Sequence, residues 1–139
     1  MRSENHNDGG GMRRRIYIAG PIAKGDLAGN VNRATTAFIS LAKMGFAPMC
    51  PHLSVYSSPC VPGDNPNEVH AVGTPGGNHN MSQADWLGVD LPWVAASDAV
   101  LRIQGESVGA EQEVALAKEL GIPVVYDLES VSALFPKNN

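Results

Sequence analysis

The stretch Ser107-Val-Gly109-Ala-Glu-Gln-Glu113 opens a helical pattern, GESVGAEQEVALAKELGIP, that runs over residues 105–123. Gly105, Ser107 and Gly109 fall at a strand-to-helix turn, where free backbone N–H groups and the positive end of the helix dipole suit an anion such as phosphate. Ser107 suits the N-cap of the helix equally well, and the two roles are compatible. Advancing about 100° per residue from Ala110 gathers Val114, Ala117 and Gly121 on one small-residue face, with Leu120 at its margin. Glu111, Gln112, Lys118 and Glu119 lie outside that face and are assigned to solvent. Glu113 falls about 60° from Ala110, between Leu120 and Ala117, on the side that faces a sheet. A carboxylate there must be paired, hydrogen-bonded or turned to a polar cleft, unless it reaches water from the edge of the apolar stripe.

Other chemistry-bearing residues are fewer. Asp90 sits among Trp86, Leu87, Leu91 and Trp93 in ADWLGVDLPW, where an aspartate needs a partner, whereas Asp98 reads as a turn or cap residue at the mouth of a strand. The loop AGPIAKGD offers Gly20 and Gly25 beside a possible ligand but matches neither the dinucleotide fingerprint nor the P-loop. GTPGGN at 73–78 has the composition of a phosphate loop, and turns are the simpler reading. His6, His52, His70 and His79 lack metal-ligand spacing, and the Cys50–His52 pair is too small a set, so no metal site and no cofactor are expected.

The elements that must position these residues follow from periodicity. RRRIYIAGPI gives a first strand over 14–19 that stops at Gly20-Pro21. GNVNRATTAFISLAKMGF carries Val31, Ala34, Phe38 and Leu41 on one helix face, with Gly45 as the stop. A second strand covers 46–49. Residues 51–80 are rich in proline and glycine without sustained periodicity, a substrate-facing loop or an insertion. MSQADWLGVDLPWVAASDAVLRI predicts one or two helices interrupted near Pro92, then a third strand over 99–103. A fourth strand at 122–126 and a short helix at 128–135 complete the chain. Strands alternating with helices imply a mainly parallel sheet covered on both faces, with ligands bound outside the strands' C-terminal ends, where the loops after strands one and three meet.

Composition sets the outer bounds. A chain of 139 residues, 43% hydrophobic and 17% charged, is one ordinary globular domain. A net charge of −4 gives no basic footprint for a nucleic-acid polymer. Cys50 and Cys60 are too few for a disulfide framework and are expected as thiols in a cytoplasmic protein without a membrane span. Residues 1–11 are expected to be a disordered leader or tag remnant, with Met12 a candidate natural start.

Taken together, IYIAGPI at 16–22, DLPWVAASDAVLRI at 90–103 and SVGAEQEVALAKELGIPV at 107–124 resemble the nucleoside 2-deoxyribosyltransferase-like superfamily, which includes 2'-deoxynucleoside 5'-phosphate N-hydrolases. The resemblance covers most of residues 13–135 and is least in the loop at 55–85. It implies an α/β three-layer Rossmann/flavodoxin-like sandwich with a mainly parallel four- to five-stranded sheet, and a catalytic domain over 12–139. By the same resemblance Glu113 is the nucleophile, and Asp90 contacts the sugar hydroxyl and assists catalysis. Ser107 is then the 5'-phosphate contact, as in the nucleotide hydrolases, and Ser132 matches a serine that reaches a neighbouring subunit's phosphate site.

The first loop departs from the hydrolase pattern, with Pro21 and Lys24 where serine and arginine are frequent. Gly20, Pro21, Ile22, Lys24, Gly109, His52 and Trp86 complete the expected substrate-binding set, with Trp86 or Trp93 stacked on the base. The implied reaction is hydrolysis of the N-glycosidic bond of a (deoxy)nucleoside 5'-monophosphate through a covalent glycosyl-enzyme. Base exchange between deoxynucleosides, NAD cleavage and a nucleotide-binding module without turnover are the alternatives. The expected partner is a small nucleotide or nucleoside, in a homodimer or higher homo-oligomer.

Overall fold

The computed structural model describes residues 11–22, 24–52 and 82–136. Four strands, β1 (Arg15–Ala19), β2 (Ala47–Met49), β3 (Ala99–Arg102) and β4 (Val124–Val125), form one sheet in the order β2-β1-β3-β4. Every pairing is parallel, with Tyr17 opposite both Met49 and Val100. The helices are α1 (Leu27–Lys43), α2 (Gln83–Ala95), α3 (Val108–Glu119) and α4 (Leu128–Leu134).

Alternation along β1 sorts the core into two layers. Ile16 and Ile18 face Ala34 and Leu41 of α1 and Val131 of α4. Tyr17 and Ala19 face the other way, onto Val94 of α2 and Ala110 and Ala117 of α3. A chain that moves from β1 to β2 and returns past β1 to β3 must change faces if every crossover is right-handed. The gap between β1 and β3 is therefore the topological switch point, the place where open α/β sheets bind ligands.

The strands run shorter than the sequence pattern implies, because parallel pairing ends where the chain leaves the ladder: 15–19, 47–49, 99–102 and 124–125 rather than 14–19, 46–49, 99–103 and 122–126. The expected break at Pro92 does not occur; α2 runs through it to Ala95. Proline there removes one hydrogen bond to the carbonyl four residues back, that of Gly88. Both Gly88 and Pro92 are exposed, so water can serve that carbonyl and the helix continues. Ser82 and Asp85 close its start with reciprocal bonds of 3.0 and 2.9 Å. Asp98 takes the structural role expected of it, accepting from the Arg15 backbone N–H at 2.7 Å as its own N–H donates to the Arg15 carbonyl at 2.8 Å.

Cys50 is buried in the α1-side core. Residues 1–10, Cys60, His70, His79, the GTPGGN stretch and nearly all of the 51–80 loop lie outside the described residues. Among the described residues no helix is long and apolar enough to cross a membrane.

Candidate active site

Two loops meet at the switch point. The β1–α1 loop starts at Gly20, where a Cβ would stand 3.0 Å from the Ile103 Cβ, so only glycine lets the two strand ends close to this distance without a shift. The Ile103 N–H donates to the Ala19 carbonyl at 2.7 Å, carrying the ladder one step beyond β3. Asn30, buried on α1, then fixes the loop's path by donating to the carbonyls of Ile22 at 2.9 Å and Lys24 at 2.8 Å. Gly105 belongs to the opposing β3–α3 loop, at φ +129, with the Pro21 ring packed over it. A Cβ at Gly105 would lie 2.6 Å from the Pro21 Cγ. Gly105→Val is therefore expected to cost about 2–4 kcal/mol from the positive φ and the clash together, read as a lowered midpoint in thermal or urea denaturation.

Glu113 comes in from α3 beneath these loops and is 5% exposed. The Tyr17 hydroxyl, on the same face of β1, donates to its Oε2 at 2.8 Å. Burial pushes the Glu113 carboxyl up to about 7, and the negative charge of Asp90 adds to this; the Tyr17 hydrogen bond and the charge of Arg102 pull the other way. Burial beside Glu113 and Asp90 raises the Tyr17 phenol far above its ordinary range, so Tyr17 stays a donor at every working pH. Asp90, half-buried on α2, is itself pushed up to about 6 by burial. Two carboxyl groups from different helices and one phenol thus share a poorly solvated space. Such a group of titratable side chains with displaced pKa values marks a candidate catalytic centre.

At the start of α3, Ser107 is the N-cap, its Oγ accepting from the Ala110 N–H at 3.0 Å. The N–H groups of Val108 and Gly109 precede the first intrahelical bond, and neither they nor the Ser107 hydroxyl hydrogen has an acceptor among the described residues. Lys24 stands 3.6 Å from Glu106, both well exposed, so an anion at Ser107 would have to compete with Glu106 for that lysine. His52 is buried and its Nε2–H donates to the Pro21 carbonyl at 2.9 Å. Burial lowers its pKa to about 4, leaving a neutral ring at pH 7. Trp86, one turn before Asp90, packs on Val31, as do Ile22 and Leu27. His52 Nδ1 and Trp86 Nε1 are buried without a hydrogen-bond partner among the described residues. Trp93 is 52% exposed and Ser132 is exposed on α4.

One assignment needs correction. Glu111 does not stand free in solvent: although its side chain is 69% exposed, its Oε2 accepts from the guanidinium of Arg102 at 2.8 Å, and Arg102 is 8% exposed. Helical spacing saw the exposed stem and missed a partner that reaches out from the strand beneath. Glu119 is exposed as expected.

The sequence matches no family model and no curated protein. Among solved structures the chain is similar to the 2-deoxyribosyltransferase of the psychrotolerant bacterium Bacillus psychrosaccharolyticus, with a TM-score of 0.52 and 18% identity. The similarity covers 79% of this chain and 69% of that one. The fold is that of a 2-deoxyribosyltransferase. Its parallel sheet, four-stranded among the described residues and covered by helices on both faces, realises the expected α/β sandwich.

Within this 2-deoxyribosyltransferase fold the structure gathers most of the expected residues and adds three that sequence reading passed over. Glu113, Asp90, Ser107, Gly109, Gly20, Pro21, Ile22, Lys24 and Trp86 lie on the two loops, on α2 or on α3, and His52, just past β2, reaches the first loop through the Pro21 carbonyl, whereas Ser132 stands on α4. The additions are Tyr17, Arg102 and Asn30. Each carried a signal: a phenol inside a buried aliphatic strand, a guanidinium inside another, and an asparagine on the apolar stripe of α1, four residues before Ala34. Buried polar groups of this kind must find partners.

Proposed function

We propose that the protein cleaves the N-glycosidic bond of a (deoxy)nucleoside 5'-monophosphate, with Glu113 as the nucleophile. The observation that carries this reading is the buried Glu113 carboxylate, one oxygen held at 2.8 Å by Tyr17 and Asp90 close enough to influence its ionisation. A carboxylate fixed on one oxygen and stripped of water presents the other to an electrophilic carbon. As the bond from C1' to the base breaks, the electron pair leaves with the base nitrogen and C1' takes on oxocarbenium character. Glu113 closes on C1' to form a glycosyl ester, and water then breaks that ester and returns the carboxylate. Asp90 holds the 3'-hydroxyl or carries the proton of these steps. The orphan N–H groups of α3 with the Ser107 hydroxyl anchor the 5'-phosphate and align the sugar.

Base exchange is the second reading, supported by the likeness to a 2-deoxyribosyltransferase presented as a biocatalyst for nucleoside synthesis. The chemistry up to the glycosyl ester is shared, and a second base rather than water accepts the sugar. One chromatographic screen separates the readings. Nucleosides and their 5'-monophosphates are incubated with the protein, with and without a second free base, and released base and new nucleoside are quantified. Release from monophosphates without new nucleoside supports hydrolysis, and a new nucleoside supports exchange. Bound nucleotide with no base released over hours would leave a binding module. Glu113→Ala is expected to stop base release while retaining the fold and nucleotide binding, and activity persisting in that variant would remove Glu113 from the role.

A further inference from the structure

The cleavage scheme gives Arg102 no task, yet its guanidinium is one of the few buried charges among the described residues. Its acceptors come from three successive pieces of structure: the Ile103 carbonyl just past β3, the Gly105 carbonyl at 2.9 Å in the loop, and Glu111 Oε2 at 2.8 Å in the first turns of α3. Glu113 follows Glu111 by two residues, so the strand end, the loop and the helix that carries the nucleophile are tied through one planar fork. Planarity and five fixed donors make arginine suited to this, and lysine could satisfy only part of it.

The arrangement is asymmetric in charge. The guanidinium is buried while the carboxylate that neutralises it stands mostly in water, where its field is screened. Inside the site, Glu113 is faced by the neutral Tyr17 phenol from β1, the carboxyl of Asp90 from α2 and the cation of Arg102 from β3. Of these groups Arg102 alone brings positive charge.

We propose that Arg102 is a positioning residue for Glu113, its buried guanidinium fixing the 103–107 loop and the start of α3 while its charge favours the ionised nucleophile, with Glu111 as the outer counter-charge that moderates this field. The proposal rests on the reading of Glu113 as nucleophile but is tested without turnover. The full chain labelled at glutamate carboxyl carbons is titrated by NMR as wild type, Arg102→Met, Arg102→Lys and Glu111→Gln, with Glu113→Gln identifying the signal. Removing the cation is expected to raise the Glu113 midpoint by about one unit, a tenfold tighter hold on the proton. Removing the counter-charge is expected to lower it, and Arg102→Lys to fall between wild type and Arg102→Met. The acid limb of base release should move in the same directions.

A role in folding alone predicts no such opposition of sign. Midpoints that stay together, or that move the same way in Arg102→Met and Glu111→Gln, overturn the proposal. If Arg102→Met fails to fold, Arg102→Lys and Glu111→Gln still decide, because their expected shifts oppose each other. Absence of base release from wild type counts against the cleavage reading only, since the titration reports on the carboxyl itself.

Discussion

Replacing Glu113 with glutamine is expected to remove turnover and to strengthen the fold above neutral pH at the same time. Glutamine keeps the shape and can still accept from Tyr17, so the 2.8 Å bond has a successor, but the amide is no nucleophile. Loss of base release by at least about 10³-fold follows, with nucleotide binding kept. The stability effect comes from linkage. In the unfolded chain this carboxyl titrates near its ordinary 4.5, and in the folded chain near 7, because burial opposes the charge. The folded state therefore holds the proton more tightly, and as pH rises from 4.5 through 7 the wild type loses stability that the variant never had to lose. The gain of Glu113→Gln over wild type should be absent near pH 4 and reach about 3 kcal/mol above pH 7.5, read by urea denaturation across that range. A stability difference between Glu113→Gln and wild type that is the same near pH 4 and above pH 7.5 would show that the carboxyl is solvated, and the assignment of a buried nucleophile would fall with it.

The opposition between activity and stability at one residue explains what was legible before the structure. Helical spacing finds Glu113 because a carboxylate on an inward face breaks the pattern of its own helix, and that local conflict is visible in a dozen residues. The same holds for Gly45, which ends α1, and for the strand-helix alternation that fixes a parallel sheet. What spacing within one helix cannot deliver is the partner on another element. Tyr17 is 96 residues from Glu113 in sequence and reads as one more β-former in RIYIA. The pairing of Arg102 with Glu111 is hidden for the converse reason, since the visible end is exposed and ordinary whereas the strand residue that binds it is covered. The break assigned to Pro92 failed because the cost of proline depends on whether the freed carbonyl sees water, which a one-dimensional pattern does not record.

Base release is expected to climb about 100-fold between pH 5 and pH 8, because the attacking form of Glu113 is the carboxylate and burial holds its midpoint near 7. Asp90, pushed up to about 6, shares the same space, so the two protons leave in steps that belong to the pair. Substitutions around the pair should move this acid limb in opposite directions. Tyr17→Phe deletes the donor that favours the ionised carboxylate, so the limb moves up and the rate at pH 7 falls about tenfold, with much of the loss regained by pH 9. Asp90→Asn deletes a neighbouring negative charge, so the limb moves down even though the rate at its plateau suffers from the lost contact to the sugar. A profile of kcat/KM against pH for the three proteins checks this, because in the free enzyme it reports the ionisations that matter for attack. Limbs that coincide in all three would mean that Glu113 is not the group being titrated, and limbs displaced the same way would mean that its ionisation is set by something other than the phenol at 2.8 Å and the carboxyl on α2.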